Sequence, residues 1–367
     1  MNEAANFHAA IIESSARALA AHATELLLDR CPAAHAFGDP AFRAWQEHIA
    51  GRLLELAGAM RAGEPGLFGD QLHWGKIAFA ARGLNSNELE ASTDALHEAL
   101  VEGLPPGANE SVAPYLAAAR GALAREVRHA APAIAGPHGE LAARYMVALL
   151  EGDRRAAIAC ILDALDAGLP PRDALIHVLV PVAREIGRMW HLGEVTIGEE
   201  HFTSTTASLV MGAVRQRMKM VAPNDRCAVI ASVPGNRHDL AGRIAGLLLE
   251  AAGWRVIDMG VEMPAHDLVR SVGDFEADVV VLSVMLTTQL DTAKSTIAAL
   301  KSDPRSERAA IVVGGHVFDQ APTLWKRMGV DAHARTLGQI TELADAVWKA
   351  RTSGADRSDA DDGAADD

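Results

Sequence analysis

The sequence predicts a multidomain protein of the α plus α/β class, in which a helical first part precedes a doubly wound parallel α/β domain. Up to about residue 220, alanine, leucine, glutamate and arginine are frequent, and apolar residues recur at the three- and four-residue spacing of amphipathic helices. After Arg226, short runs of valine and isoleucine alternate with helical segments. That alternation is typical of a parallel sheet covered on both faces.

The first domain is expected to span residues 1–131 and to be entirely helical, with a globin-like arrangement. Clusters of proline and glycine separate its helices, among them the stretch Ala62–Asp70. The predicted helices are Glu13–Leu28, Phe42–Arg61, Asn87–Val101 and Ala113–His129. The helical pattern breaks at Ala131–Gly139 (APAIAGPHG), which indicates a domain boundary.

A four-helix bundle is expected over residues 140–220. Its predicted helices are Glu140–Leu150, Arg154–Ala167, Arg172–Met189 and Glu199–Met218. Asp153 stands where a helix cap belongs and Pro171 where a first-turn proline belongs. Four helices in so short a stretch are typical of a compact bundle.

The α/β domain is expected over residues 226–351, followed by a disordered acidic tail over residues 352–367. The strand signals are CAVIASV, WRVIDMG, ADVVVLSV and AAIVVGG, with helices predicted at Leu240–Ala252, Ala265–Val272 and Thr292–Lys301. Each crossover between parallel strands should be right-handed. In such folds the ligand binds at the carboxyl ends of the strands. The tail is predicted because its last stretch, DRSDADDGAADD, has no large apolar side chain.

Composition limits the partners of the protein. The formal net charge of −14 argues against binding to nucleic acid or to an anionic membrane, since both need clustered basic residues. The sequence has neither an apolar run long enough to span a membrane nor the charged start of a secretory leader. We therefore expect a cytoplasmic protein without a direct nucleic-acid or membrane partner.

Candidate binding residues follow three of the predicted strands. His238 lies in the loop PGNRHDLAG after the first strand, and Ser283 and Thr287 lie at the end of the third. Gly314 and Gly315 end the fourth strand, and paired glycines allow a ligand to lie directly against backbone. Because the carboxyl ends of parallel strands share one edge of the sheet, these residues predict a single site.

In this order the motifs resemble the cobalamin-binding domain of methionine synthase and corrinoid proteins, over about Arg226–Arg351. The resemblance implies that His238 is the lower cobalt ligand. It also implies that Ser283, Thr287 and the pair Gly314–Gly315 line the channel for the nucleotide tail of the cofactor.

Two positions depart from the D-x-H-x-x-G motif of that family. Asn236 stands where aspartate is common, and Ala241 stands where glycine is usual. An asparagine carbonyl can accept the ring N–H of the ligand histidine but lacks the charge of a carboxylate. We therefore expect a less basic lower ligand, with Asn236 still among the cofactor-binding residues.

A second motif lies in the predicted bundle, in the stretch MWHLGEVTIGEEHF. Trp190 precedes Glu200 and His201 by the spacing of the W-x9-E-H pattern in light-sensing cobalamin regulators of the CarH-like family, and His191 follows the tryptophan. The resemblance implies that Trp190 packs against the adenosyl group of adenosylcobalamin, while Glu200 and His201 complete the pocket. It also implies that His191 becomes the upper cobalt ligand after illumination.

The first domain contains a local enrichment of aromatic and basic residues over Pro40–Leu84. Its members are Phe42, Trp45, Phe68, Trp74 and Phe79 with His48, His73, Arg43, Arg52 and Arg82. Fused to a cobalamin domain, this arrangement resembles the photocobilins, which hold biliverdin beside cobalamin. A heme with His48 or His73 as axial ligand is an alternative, and an ordinary aromatic core is another.

These observations favour a light sensor that binds adenosylcobalamin and biliverdin. Its output is expected to be a light-dependent change of a homo-oligomer that signals to a partner protein. No catalytic residue is assigned, and the protein is not expected to be an enzyme. A corrinoid methyl carrier of a methyltransferase system is the alternative, and a helical adaptor with an inactive cobalamin site is a third reading.

Overall fold

The computed structural model describes residues 3–127, 134 and 136–361. The chain divides into two compact units, Met1–Ala130 and Ala131–Asp367. The predicted boundary segment lies at this division, and its residues 131–133 and 135 lie outside the described part. Among the described residues, none of the helices is both long enough and apolar enough to cross a membrane.

The first unit is helical, as predicted. Its helices are α1 (Glu3–Arg30), α2 (Ala41–Ala62), α3 (Pro65–Ala81), α4 (Ser86–Gly103) and α5 (Ala108–Leu123). Helix α1 packs against α2 and α4, and α3 packs against α5. The globin-like arrangement stays a prediction, and His129, the predicted end of the last helix, lies outside the described residues.

Helix α3 is missing from the predicted set because the stretch around Pro65 contains proline and glycine. The structure interrupts the helical path only at Gly63 and Glu64. Gly63 ends α2 with the left-handed backbone that glycine favours, and Pro65 occupies the first turn of α3. A proline in the first turn needs no hydrogen-bond partner for its nitrogen, so it starts this helix.

The second unit begins with a helical subdomain, residues 139–215. Its helices are α6 (Gly139–Leu150), α7 (Arg154–Asp166), α8 (Pro171–Asp173), α9 (Val180–Leu192) and α10 (Ile197–Arg215). A π-helical turn, Ala174–Leu179, joins α8 to α9, so the subdomain has four helical segments. Asp153 caps α7 by accepting the Ala156 N–H at 2.9 Å. The arrangement of these segments as a regular bundle stays a prediction.

A five-stranded parallel sheet follows, which confirms the predicted α/β class. Its strands are β1 (Cys227–Ser232), β2 (Arg255–Asp258), β3 (Val279–Ser283), β4 (Ala310–Gly314) and β5 (Ala332–Ala334). Their spatial order is β2-β1-β3-β4-β5, and all neighbours are parallel. Strands β1, β3 and β4 are buried along almost their whole length. Strand β5 is not among the predicted strands because its sequence, AHA, is short and has no β-branched residue.

Six helices of the described region accompany the sheet. They are α11 (Leu240–Ala251), α12 (Ala265–Asp274), α13 (Leu290–Ser302), α14 (His316–Gln320), α15 (Leu324–Arg327) and α16 (Ile340–Asp361). Helix α16 extends into the expected acidic tail as far as Asp361, and the tail itself stays a prediction. Extending an existing helix is far easier than starting one, and no proline interrupts this stretch. Residues 362–367 of the predicted tail lie outside the described residues.

The helical subdomain and the sheet share one hydrophobic core. Ile161, Val178 and Met211 of the subdomain belong to the same buried cluster as Ile244 of α11 and Val281 of β3. Polar contacts reinforce this packing between α10 and α11: Arg243 Nη1 donates to Ser208 Oγ at 2.6 Å, and Arg215 pairs with Glu250 at 2.9 Å. The subdomain is therefore held against the α/β layers within a single compact unit.

Candidate functional site

The predicted loop residues meet at one edge of the sheet. The strand register places Ser232 of β1 beside Ser283 of β3, and Ser283 beside Gly314 of β4. These are the last residues of their strands, and the loops that follow carry His238 and Thr287. The carboxyl edge of the sheet thus gathers the residues that the sequence predicted as a site.

Asn236 is the buried centre of the loop after β1, with no exposed surface. Its Oδ1 accepts the His238 backbone N–H at 3.1 Å and lies 3.0 Å from His238 Nδ1. Its Nδ2 donates to the Ser283 carbonyl oxygen at 3.1 Å and lies 3.2 Å from Ser283 Oγ. A backbone N–H only donates and a carbonyl only accepts, so these partners fix the orientation of the amide.

The orientation of Asn236 sets the tautomer of His238. Because Oδ1 is an acceptor, Nδ1 of the imidazole carries the hydrogen and Nε2 keeps its lone pair. Burial lowers the pKa of His238, while the carboxylates of Glu200 and Asp239 partly oppose this effect. The result is a neutral imidazole at neutral pH with Nε2 available as a metal ligand.

Gln289 belongs to the site but is absent from the predicted residues. It ends the short 3-10 turn Thr287–Gln289 after β3 and is almost fully buried. Its Oε1 accepts the N–H groups of Met285 and Leu286 at 2.8 and 3.0 Å, and its Nε2 donates to the Gly235 carbonyl at 2.9 Å. Gln289 therefore connects the loop after β3 to the loop that carries His238.

Thr287 is buried, and its Oγ1 has no hydrogen-bond partner within the described protein. A buried hydroxyl without a partner is unfavourable by about 1–3 kcal/mol. Such atoms are uncommon in folded proteins and indicate a polar ligand when they lie at a binding edge. The prediction that Thr287 contacts a cofactor fits this observation.

The two glycines at the end of β4 have different surroundings. A Cβ on Gly315 would lie 2.0 Å from the Val284 carbonyl oxygen, and its φ of +126° is one that residues with a side chain rarely adopt. The protein's own backbone therefore already requires glycine at position 315, and contact of Gly315 with a cofactor stays a prediction. At Gly314 the nearest atom to an added Cβ would be 3.6 Å away, an ordinary contact.

Trp190 and His191 lie in the last turn of α9. Gly193 ends this helix with a left-handed backbone, and its N–H and that of Glu194 return to the carbonyls of Trp190 and Met189. Trp190 is 46% exposed, an unusual fraction for a tryptophan in a packed helical layer. Its ring is thus available for contact with a planar ligand.

Glu200 and His201 lie in the first turn of α10. Thr196 and Glu199 form a capping box that starts this helix. The two carboxylate oxygens of Glu200 lie 2.7 Å from His201 Nδ1 and 2.7 Å from Ser204 Oγ, respectively. The charge of the Glu200 carboxylate opposes the lowering of the His238 pKa by burial. Glu200 is therefore within electrostatic range of the His238 imidazole.

Exposed apolar side chains add to this edge. Val261 in the loop after β2 is 38% exposed, and Leu286 in the loop after β3 is 43% exposed. Both follow strands that flank β1, so they lie on either side of the His238 loop. An apolar rim around one metal-ligating nitrogen suits a broad, largely apolar macrocycle.

Within the described residues, no group of three or more His, Cys, Asp or Glu side chains is arranged to hold a metal ion. A bare ion in a protein usually takes several protein ligands. A metal that arrives inside a macrocycle already has most of its ligands, so one imidazole is enough.

The first unit contains a separate aromatic cluster around His48. The rings of Phe37, Trp45 and Phe79 have centroids 5.5–6.0 Å from the His48 ring. Burial and the nearby Arg52 lower the pKa of His48 to about 3, and its Nε2 is buried without a hydrogen-bond partner among the described residues. Phe37 is absent from the predicted set because it precedes the enriched stretch in sequence.

Polar atoms on α2 continue this cluster. Arg52 Nη1 donates to the Gln71 carbonyl at 3.1 Å and lies 3.0 Å from Glu55 Oε2. Arg52 Nε and Glu55 Oε2 are nevertheless buried without a hydrogen bond to the described part of the chain, and burial raises the pKa of Glu55. His48, Arg52 and Glu55 follow one another at helical spacing, so they share a face of α2.

Other predicted residues of the first domain lie elsewhere. Phe42 is exposed, and Arg43 pairs on the surface with Glu47 at 2.9 Å. His73 Nδ1 donates to the Ala122 carbonyl of α5 at 3.2 Å. Phe68 is fully buried, Trp74 is partly buried and Arg82 is exposed. The enrichment seen in the sequence thus does not form one site.

Comparison with known proteins finds relatives of the second unit. Residues 226–343 match a family model described as a B12 binding domain, and residues 141–215 match a second model with the same description. Over 202 residues the chain is 30% identical to the HTH-type transcriptional repressor CarH of Myxococcus xanthus. The aligned region covers 53% of this chain and 64% of the repressor. The match thus spans somewhat less than two thirds of that relative.

Corrinoid proteins match the same region. A corrinoid protein of Desulfitobacterium hafniense (strain Y51) is 25% identical over 205 residues, which cover 54% of this chain and 94% of that protein. The structure of a monomethylamine corrinoid protein of Methanosarcina barkeri superposes with a TM-score of 0.50 at 18% identity, over 56% of this chain and 98% of that chain. The structural likeness shows the fold, and the sequence matches support cobalamin binding by the second unit.

The residues at the sheet edge fit a cobalamin. His238 offers an oriented, neutral imidazole, Thr287 offers a buried hydroxyl without a partner in the described chain, and the rim formed by Val261 and Leu286 is apolar. Asn236 in place of the usual aspartate still accepts the ring N–H, so the departure from the motif keeps the hydrogen bond and loses only the charge. Ala241 is exposed at the start of α11.

Proposed function

We propose that this chain, whose residues 141–215 and 226–343 match B12-binding domains, is a light sensor that binds adenosylcobalamin. The observation that carries the proposal is the juxtaposition of His238 with the start of α10. An oriented imidazole lies at the sheet edge, and Glu200 of the helical subdomain lies close enough to raise its pKa. We expect a ligand held by His238 to lie between the loop after β1 and the helical subdomain.

Below the ligand, the chain supplies a fixed imidazole. His238 would ligate the cobalt, with its Nδ1–H held by Asn236 and the amide of Asn236 held by Ser283. Thr287 would donate its hydroxyl to the nucleotide tail. Adenosylcobalamin, when bound, supplies a cobalt–carbon bond that light cleaves.

Above the ligand, the helical subdomain supplies an aromatic face and polar groups. Trp190, whose ring is exposed at the end of α9, would pack against the adenosyl group. Glu200 and His201 would hydrogen-bond the sugar. His191, next to Trp190, would offer its imidazole to the cobalt after light has released the adenosyl group. The expected output is a light-dependent change in a homo-oligomer, which a partner protein reads.

The alternative is a corrinoid methyl carrier. It is favoured by the corrinoid proteins, which this chain matches over nearly their full length. The exposed Trp190 and the Glu200–His201 pair favour the sensor, since a methyl group needs no aromatic face or sugar contacts. A carrier would pass the methyl group of methylcobalamin to a thiol acceptor in the dark.

The test is to load the full chain with adenosylcobalamin in the dark, illuminate it, and record the visible spectrum and the particle mass. A sensor gives a light-dependent spectral change and a change of mass. The His191→Ala variant should bind the cofactor in the dark and lose the final light-induced spectrum. A parallel sample is loaded with methylcobalamin and kept in the dark with a thiol. Transfer of its methyl group to the thiol, which leaves cob(I)alamin, together with no light-dependent change of mass in the first sample, would instead establish the carrier.

His177 offers a matched control for His191. It lies in the π-helical turn of the same helical segment and is exposed. The His177→Ala variant should behave as the wild type in darkness and in light. Identical spectra for His191→Ala and the wild type after illumination would show that His191 is not the upper cobalt ligand.

We further propose that the first unit binds biliverdin through the cluster around His48. Aromatic walls and a buried arginine suit a conjugated ligand with carboxylates. Nε2 of His48 and Nε of Arg52 are buried without hydrogen bonds within the described chain, and they support a polar ligand there. Absorbance of the purified full chain after addition of each compound tests this: a red band identifies the bilin, and a sharp Soret band without one identifies heme.

A further inference from the structure

Gln289 joins two loops of the cobalamin edge through one side chain. Its carboxamide oxygen accepts two N–H groups of its own loop, those of Met285 and Leu286. Its nitrogen donates across to the carbonyl of Gly235, which directly precedes Asn236. The residue is 3% exposed, so solvent does not compete for these bonds.

The contact requires an amide. Two N–H groups need an acceptor at one end of the side chain, and a carbonyl needs a donor at the other. An ionised glutamate has the same shape but accepts at both ends, so it keeps the first contact and opposes the second. The substitution Gln289→Glu would therefore keep the hydrogen bonds to its own loop and remove the hydrogen bond to the loop that carries His238.

Three residues attach the loop that carries His238 to β3 and its turn. The Val233 N–H donates to the Ser283 carbonyl at 3.2 Å, Asn236 donates to Ser283, and Gly235 accepts from Gln289. Gly235 has a φ of +82°, so the chain turns sharply at the residue that Gln289 holds. Releasing this carbonyl would leave the turn attached by Val233 and by Asn236, whose amide also orients the imidazole.

We infer that Gln289 is a positioning residue, which fixes the height of the His238 imidazole at the sheet edge through Gly235 and Asn236. Its own amide acts on the protein and not on the cofactor. The inference rests on the proposed ligation of cobalt by His238. It adds a residue that follows β3, whereas His238 follows β1. The amide of this residue controls the fraction of bound cobalamin in which His238 ligates the cobalt.

The test compares Gln289→Glu with the wild type and with Gln339→Glu. Gln339 is a matched control because it ends the equivalent 3-10 turn, Leu337–Gln339, after β5 and is exposed. Full chains are made with 15N-labelled histidine and loaded with cob(II)alamin. Electron paramagnetic resonance then distinguishes the axial ligand, since a 15N imidazole splits the signal into doublets and the unlabelled base of the cofactor gives triplets.

The wild type and Gln339→Glu should show doublets. Gln289→Glu should show a roughly tenfold smaller doublet fraction, the effect typical of losing a residue that orients a metal ligand. Amide hydrogen exchange in the apoprotein should be faster at Asn236 and His238 in the same variant. If Gln289→Glu does not fold, Gln289→Met, which keeps the side-chain length, takes its place with the same expected loss.

The outcomes separate the two claims. A doublet of wild-type size in the Gln289 variant overturns the positioning role and leaves His238 as ligand. Triplets in the wild type overturn ligation by His238 itself, and the inference with it. A loss of doublet in Gln339→Glu as well would show a general effect of added charge, which also overturns the specific role of Gln289.

Discussion

His48 of the first unit and His238 of the second both have a pKa lowered by burial, and their surroundings differ in one decisive respect. His48 is enclosed by aromatic rings, and its Nε2 has no partner in the described chain. His238 has its Nδ1 bound by Asn236, and the loop that carries it is attached to β3. Both are neutral at neutral pH, but His238 has one nitrogen fixed as donor and the other left as ligand.

The difference shows that a lowered pKa alone does not define a metal ligand. An imidazole binds metal well when a second group fixes its tautomer and its ring plane. Asn236 provides that group for His238, and Ser283 in turn fixes Asn236. Aromatic rings, which surround His48, cannot fix a tautomer in this way. We therefore expect cobalt ligation at His238 and a response to acid at His48.

The largest expected effect is that of His238→Ala. Removing the proposed cobalt ligand should weaken adenosylcobalamin binding by roughly 100-fold or more, beyond the loss usual for a residue that merely orients a ligand. Equilibrium dialysis in the dark measures it. His266→Ala, which changes an exposed histidine of α12, serves as the control and should bind as the wild type does. Equal affinity of His238→Ala and His266→Ala for adenosylcobalamin would show that His238 is not the cobalt ligand.

Asn236→Ala should have the next largest effect. Without the amide the imidazole loses the group that fixes its tautomer, so affinity should fall roughly 10- to 100-fold. Asn236→Asp restores the acceptor and adds the charge that the family usually has, and it should bind at least as tightly as the wild type. Dialysis of both variants provides the measurement. A tighter Asn236→Ala protein would contradict the orienting role.

Acid should destabilise the first unit through His48. Its folded pKa of about 3 lies below the ordinary value of 6.5, so the unfolded state binds the proton first as the pH falls. Stability is therefore lost between pH 6.5 and about 3, by about 2–3 kcal/mol on reaching pH 4.5. The raised pKa of Glu55 acts in the opposite direction over its own range.

Comparison with His48→Leu isolates this effect, because Glu55 is present in both proteins. Amide hydrogen exchange of α2 in the full chain, at pH 7 and pH 4.5, gives the local opening free energy of each. His35→Leu, at an exposed histidine, is the control and should follow the wild type. Parallel pH dependence of the wild type and His48→Leu would show that His48 is not the responsive group.

Thr287→Val should have the smallest effect on cobalamin affinity, and it should change affinity and stability in opposite directions. Replacing a buried hydroxyl that lacks a partner in the described chain should stabilise the apoprotein by about 1 kcal/mol, because the unpaired polar atom disappears. The same change should weaken cobalamin binding, since the nucleotide tail then loses a hydrogen bond. Thr206→Val removes another such hydroxyl and should stabilise the protein without changing affinity. Thermal unfolding and dialysis of both variants give the comparison.

The parts of the fold that the sequence predicted are those with dense local signals. The buried runs of β1, β3 and β4 contain mostly valine, isoleucine and alanine, and the residues that follow them meet at one edge as expected. The sequences of the short β5 and of the start of α3 at Pro65 indicate secondary structure only weakly. Both elements depend on packing against neighbouring elements. The local sequence pattern therefore predicted the candidate site residues at the sheet edge, but it did not predict all of the surrounding helices and strands.

The parts that the sequence could not supply depend on contacts between distant residues. Gln289 acts on Gly235, which is 54 positions earlier in the chain, and a glutamine in a loop has no pattern that marks such a role. The aromatic residues of the first unit show the reverse. They are close in sequence, but Phe42 and Arg43 lie on the surface while Phe37, outside the enriched stretch, packs with Trp45.

The most direct test of the central claim is cobalt X-ray absorption of the full chain loaded with adenosylcobalamin in the dark and freed of unbound cofactor. We predict equimolar cobalt with an axial imidazole nitrogen that is absent in His238→Ala. A chain that retains no cobalt, or an unchanged axial nitrogen in His238→Ala, would contradict the account.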